Sequence, residues 1–188
     1  MHLVFRTLLR VLVVARRGRT LGLADLGRAR FVTLPTDLDV NRHMNNGVYF
    51  SIMDLARMDL FVRTGLFDLM RAKHWLPVAV SETIAFRKPL SLWQRFTVET
   101  RLLGHDGRLM LFEQRFTRPG PGGGPEIYAR AFVRKLFVRN SGGSVPVAEV
   151  LDELGAPPVP DVAPEWLAAW ADDVALPPSR AEAPSVWH

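Results

Sequence analysis

The sequence predicts an α+β domain, an antiparallel sheet of about five strands with one long helix covering a face. Two patterns carry this reading. Residues 47–63 contain no proline and are apolar nearly all round, with Ser51, Asp54 and Arg57 as a thin polar stripe and Asp59 the main exception. A helix of that kind is a buried one. From residue 77 the hydrophobic period switches to two, over four successive runs separated by turn-forming residues. One early strand, one buried helix and a meander of strands place the helix against one face of the sheet.

Taken in order, residues 1–29 form a basic, apolar N-terminal segment. Arg10 breaks its hydrophobic run, which is then too short to span a bilayer. Arg16 and Arg17 stand where a signal peptide would place small residues for cleavage. Arg6, Arg10 and Arg17 share one side at helical spacing, so the segment reads either as a helix on an anionic membrane surface or as one docked on its own domain. Residues 21–28 read as a connector.

The domain proper spans residues 30–140. Residues 30–34 are a first strand, and Asn45 or Asn46 caps the long helix. Gly65 is a C-terminal stop, and residues 66–72 are a further short helical piece. Strands follow at 77–87, 95–103, 108–118 and 126–139, with Asp106-Gly107 as a hairpin turn. The stretch P-G-P-G-G-G-P at 119–125 is a flexible connection; it lacks the Lys-Ser/Thr and glycine spacing of a phosphate loop. Residues 141–188 form a Pro-rich extension, with short helices at 147–154 and 165–174 and a disordered tail.

Length and composition suit a folded single domain: 188 residues, 48% apolar and 23% charged. With no cysteine, disulfides, thiolate metal sites and cysteine nucleophiles are excluded. The net charge of +5 is uneven, because residues 1–30 carry seven arginines and one acid while residues 149–188 carry eight acids and one arginine. A basic balance invites a nucleic-acid reading, but no nucleic-acid motif and no lysine run accompany it.

The chemistry concentrates at residues 33–49, T-L-P-T-D-L-D-V-N-R-H-M-N-N-G-V-Y. No G-x-S-x-G elbow and no H-E-x-x-H helix is present. Asp39, Asn41 and His43 stand at i, i+2 and i+4, a spacing that turns them toward one pocket if the loop is extended. An Asp there can act as nucleophile or as a base that orients water. His43 can shuttle a proton, and Asn41 can hold a carbonyl or the water. The first N–H groups of the helix, at Asn46 and Gly47, can serve as an oxyanion hole. Asp37 reads as a cap for the loop. The same residue types also serve any tight loop before a helix, and the spacing alone leaves that alternative standing. A metal site at Asp37, Asp39 and His43 lacks a second ligand cluster.

The string D-L-D-V-N-R-H-M-N-N-G-V-Y, leading into a helix with D-L-A-R, resembles the signature of hotdog-fold thioesterases of the 4-hydroxybenzoyl-CoA thioesterase-like group. D-L-D-V-N-x-H-x-N-N is also similar to the plant acyl-carrier-protein thioesterases. The overall likeness is fullest to the branch of thioesterase superfamily member six, through T-R-L-L-G-x-D at 100–106 and F-E-Q-R-F at 112–116. It covers roughly residues 1–140. The resemblance implies a hotdog fold with the sheet wrapped around the helix, a homodimer or tetramer with pockets at the dimer interface, and acyl-thioester hydrolysis without a cofactor. It places the catalytic carboxylate on Asp39, its Asn and His partners on Asn41 and His43, and the helix-start amide near Asn46. In one respect the sequence departs from the plant pattern. Where those enzymes carry a Glu on the strand after the helix, this chain has Ala85, and Glu82 is offset by three, toward the opposite face.

The expected function is therefore hydrolysis of an acyl-CoA or acyl-carrier-protein thioester. The alternatives are a hotdog protein that binds such thioesters without turnover, and a membrane-surface scaffold. Tyr49, Met53 and Phe61 are candidates to line an acyl tunnel, and Arg87, Lys88, Arg130 and Arg134 to meet phosphates. No metal, cofactor or nucleic-acid partner is expected. The expected location is cytoplasmic, with contact to the inner membrane face through residues 1–19.

Overall fold

The structure is a computed structural model that describes residues 15, 18–159, 164–177 and 181–182. Strand β1 (Gly27–Val32) leads through a short 3-10 turn at Pro35–Asp37 to the central helix α1 (Asn46–Arg63), followed by α2 (Leu66–Lys73). Strands β2 (Trp75–Phe86), β3 (Arg95–His105), β4 (Leu109–Pro119) and β5 (Pro125–Arg139) come next. Then follow a two-residue strand β6 (Ser144–Val145), α3 (Val147–Leu154) and α4 (Glu165–Asp173). The strands make one antiparallel sheet in the order β1-β3-β4-β5-β2, with β6 added to β5.

Local chemistry sets the boundaries. Asn45 caps α1, its side-chain oxygen accepting the Gly47 N–H at 2.8 Å. Gly65, at φ +80°, turns the chain between α1 and α2 in a left-handed conformation that side chains resist. At the β3–β4 hairpin, Asp106 accepts from the N–H groups of Arg108 and Leu109. Gly107 there sits at φ +85°. The sequence places β1 at 30–34; it starts three residues earlier and ends two earlier, and the segment before it is more than a connector. Leu23 is buried in the core, and the Leu21 N–H donates to the Arg63 carbonyl at the end of α1. Strand β6, too short for any period, went unread. The expectations for residues 1–14, for 16 and 17, and for most of the C-terminal tail fall outside the described residues. Among the described residues no helix is long and apolar enough to cross a membrane.

The face of the sheet turned toward α1 carries two apolar clusters. One gathers Tyr49, Ile52, Met53, Val98, Phe116, Ala131 and Val133 around the first half of α1. The other gathers Leu60, Phe61, Leu102, Phe112, Phe137 and the α3 residues Val147 and Val150 around its second half. Between them, at the intervening inward positions, stand Thr100 on β3, Gln114 on β4, Lys135 on β5 and Arg57 on α1, all buried. The stripe residue Arg57, 1% exposed, therefore points into the core. A polar layer crosses an otherwise apolar interior.

Hydrogen bonds and ion pairs link the layer, although the buried Nε of Arg57 has no partner. The Arg57 Nη1 donates to Gln114 Oε1 at 2.5 Å, and Gln114 Nε2 donates to the Met53 carbonyl and Thr100 Oγ1, each at 3.0 Å. The Arg57 Nη2 reaches Asp54 and, at 2.8 Å, Glu82 on β2. Lys135 approaches Asp54 at 3.6 Å. On the opposite face of the sheet, α4 lays Leu167 against Leu111 and Phe132.

Candidate active site

The loop between β1 and α1 is held by its own carboxylates. Asp37 is fully buried; its carboxylate accepts the Leu34 N–H at 2.8 Å and its carbonyl accepts the Asn45 N–H at 2.8 Å. Asp39 closes a tighter turn, Oδ1 accepting the Asn41 N–H at 2.8 Å and the His43 N–H at 3.4 Å. Asp39 N–H in turn donates to the His43 carbonyl at 2.9 Å. This turn puts Arg42 at φ +60°, a left-handed position for a residue with a side chain. The loop is then pinned to the β2–β3 connection, by a bridge between His43 and Ser91 and by Met44 N–H donating to the Leu90 carbonyl at 2.8 Å.

A cavity of about 360 Å³ opens beside this junction, lined by Asp39, Asn41, His43, Met44, Asn46 and Tyr49 from the loop and helix. Phe86, Arg87, Lys88 and Pro89 at the end of β2 close its other side. Five of the six residues singled out from the sequence thus face one space. The sixth, Gly47, has its N–H committed to the Asn45 cap. Of the two expected oxyanion donors, Asn46 is the one at the cavity. Asp39 is the one carboxylate among the lining residues.

Tyr49 forms the floor. It is buried, with ring centroids 4.9 Å from both Phe86 and Phe116. Burial pushes its hydroxyl's pKa up, against the opposing effect of a hydrogen bond to the Leu90 backbone, so the phenol keeps its proton at neutral pH. Met53 and Phe61, the other tunnel candidates, are core residues away from this cavity. The cation candidates also divide. Arg87 and Lys88 line the cavity. Arg134 instead bonds the Ala171 carbonyl of α4 at 3.0 Å, and the Arg130 guanidinium lies 5.3 Å over the Phe132 ring. Glu82 pairs with Arg57 in the polar layer and does not line the cavity. Sequence reasoning missed that layer, although Arg57, Thr100 and Gln114 all lie in the stretches that carried the family likeness.

An antiparallel sheet wrapped around one central helix, with a polar loop at the helix N-terminus, defines the hotdog class of α+β proteins. Residues 33–170 match the thioesterase-like superfamily, and the chain belongs to that family. Protein THEM6 of Xenopus laevis is 42% identical over 85 residues, which span 45% of this chain and 41% of that protein. Among solved structures, the probable thioesterase YbaW from Escherichia coli superposes with a TM-score of 0.61 at 23% identity, covering 68% of this chain and 95% of that one. The 4-hydroxybenzoyl CoA thioesterase from Pseudomonas sp. strain CBS-3 gives a TM-score of 0.61 at 19% identity, covering 69% and 99%. At these identities the two superpositions establish the fold.

Proposed function

We propose that this protein hydrolyses an acyl thioester to free acid and thiol, with Asp39 as general base or nucleophile. The observation that carries the reading is the convergence of Asp39, Asn41, His43 and Asn46 on one cavity at the N-terminus of α1. The Asp39 Oδ1 is engaged by its own loop, which fixes the carboxylate in place. In the general-base route Asp39 takes a proton from water, and the hydroxide adds to the thioester carbonyl. The oxyanion that forms lies toward the Asn46 N–H and the positive end of the α1 dipole. Collapse of the tetrahedral intermediate breaks the C–S bond, and the proton held by Asp39 passes by way of His43 to the departing thiolate. Asn41 orients the carbonyl. Membership of the thioesterase-like superfamily supports the reaction class, and a structural neighbour named for a CoA thioester supports the carrier.

The assembly proposed for this reaction is a homodimer formed through β2. That strand is a sheet edge, and Leu76, Val78, Val80 and Phe86 along it are exposed. An edge strand of twelve residues with apolar side chains in solvent is a pairing surface. Phe86 belongs both to this edge and to the cavity wall, so pairing would complete the pocket with residues of the second copy.

The test is thiol release from short- to long-chain acyl-CoAs by wild type and Asp39→Asn. Turnover that falls about 10²- to 10⁴-fold in the variant supports carboxylate catalysis. Equal turnover in both removes Asp39 from the mechanism. Binding of acyl thioesters by a wild type that releases no thiol from any of them leaves a binding protein.

A further inference from the structure

Two turns with apolar tips stand at the end of the sheet where the candidate active-site cavity opens. The β1–α1 loop turns at residues 39–42, closed by the Arg42 N–H donating to the Asp39 carbonyl at 3.0 Å. Val40 at its tip is 97% exposed. The β2–β3 connection turns at residues 91–94, closed by the Gln94 N–H donating to the Ser91 carbonyl at 3.1 Å. Its two central residues are Leu92 and Trp93, both exposed, Trp93 at 61%. The bridge between His43 and Ser91 sets the two turns side by side. Trp93 carries the sharper signal. It holds φ +60° at the third position of its turn, where a positive φ is normally filled by glycine or asparagine. The surroundings enforce that strained conformation: the Trp93 N–H donates to the Thr33 carbonyl at 2.9 Å, and Gln94 Oε1 accepts the Ser91 N–H at 3.1 Å. A smaller residue would close the same turn with less strain, so the turn itself does not account for the indole.

Cations frame these tips. Arg42 follows Val40 by two residues, Arg87 and Arg95 flank the second turn, and all three are exposed. The acids of the same loops are occupied: Asp37 is buried, and Asp39 accepts from its own turn. The net character is basic around an apolar centre. That combination suits the boundary of an anionic bilayer. There an indole sits at headgroup level, aliphatic side chains reach the acyl region, and arginines meet anionic headgroups. We propose that this end of the domain docks on an anionic phospholipid surface through Val40, Leu92 and Trp93. The docking does not depend on the hydrolase reading. The same two loops line the cavity of Asp39 and His43, so docking brings that cavity against the lipid.

The experiment is flotation of the full chain with vesicles of phosphatidylcholine alone, and of phosphatidylcholine with about one-third phosphatidylserine. Wild type is compared with Trp93→Gly, Leu92→Ser, Arg95→Ala and Trp166→Ala, the last an exposed tryptophan on α4. Wild type floats with the anionic vesicles and not with the neutral ones, and added salt releases it. Trp93→Gly loses about tenfold in partitioning, the loss of one large apolar side chain. Arg95→Ala loses about fivefold, the loss of one cation near the surface. Trp166→Ala floats as wild type does. Glycine suits a left-handed turn, so Trp93→Gly melts no lower than wild type, which separates lost docking from lost folding. Leu92→Ser gives a second reading at the same tip. Absence of flotation, or equal flotation with neutral vesicles, overturns the proposal. Binding that Trp93→Gly and Leu92→Ser leave unchanged overturns it too, and hands the contact to residues 1–19. If Trp93→Gly keeps its lipid binding but lowers the mass in sedimentation equilibrium, the tip meets a second copy and the lipid assignment falls.

Discussion

Arg57 on α1 donates a 2.5 Å hydrogen bond to Gln114 on β4, joining helix to sheet through charge in the middle of the core. Of the arginine's acceptors only Gln114 is wholly interior. Asp54 and Glu82 carry the layer outward, Asp54 to solvent and Glu82 to the open β2 edge.

Removing the arginine leaves the buried Gln114 carbonyl and the half-buried Glu82 carboxylate without their donor. Arg57→Ala is expected to destabilise the fold by about 3–5 kcal/mol, the usual result of breaking a buried charged pair from one side. Urea denaturation measures it. Arg57→Lys should recover little, because one ammonium cannot reach the three acceptors that the guanidinium fork serves. Full recovery by lysine would show that charge alone matters there.

Lys135 gives the same layer a pH signature. Burial holds its pKa below the ordinary lysine value, with the Arg57 charge adding to the depression and Asp54 and Glu82 opposing it. Between that lowered value and about 10.4, the unfolded chain binds a proton that the folded chain does not. Stability contributed by this residue therefore rises with pH across the window. Lys135→Met lacks this dependence. Its stability relative to wild type should be highest near neutral pH and should shrink as pH climbs toward 10. Denaturation at a series of pH values reads the difference, and a flat difference would refute the assignment. Tyr49 titrates in both proteins and cancels.

The helix start offers a local test. Asn45→Ala deletes the side-chain acceptor for Gly47 N–H and is expected to cost about 1 kcal/mol, whereas Asn45→Asp retains the cap. Chemical denaturation of the two variants decides whether the capping oxygen or the amide group matters.

The β2 edge can be tested by charge. Val78→Lys together with Val80→Lys places two cations on the exposed apolar stretch, a device that blocks strand addition. Sedimentation equilibrium should report a dimer for wild type and a monomer for the double variant. An unchanged mass would move the interface elsewhere.

Much of the fold was legible because its signals are local. A buried helix declares itself by lacking a polar face, as residues 46–63 do, and Asp106-Gly107 marks a hairpin by turn chemistry. The loop of Asp39, Asn41 and His43 was equally readable, since cap and turn residues set its path over a few positions. Arg57 was not. Its partner Gln114 lies 57 residues away, and nothing near either residue shows which one turns inward. Alternating charge on a strand looks like a solvated face until the sheet order is known.

The placement of α4 bears on how many neighbours this molecule can take. By covering Leu111 and Phe132, the helix closes that stretch of the outer sheet surface to stacking by another subunit. The β1 edge is short and carries Arg28 and Arg30, which discourage strand addition. Among the described residues, the sheet edge that stays open and apolar is β2. If the proposed pairing runs through that edge alone, each copy has a valence of one and growth stops at a pair.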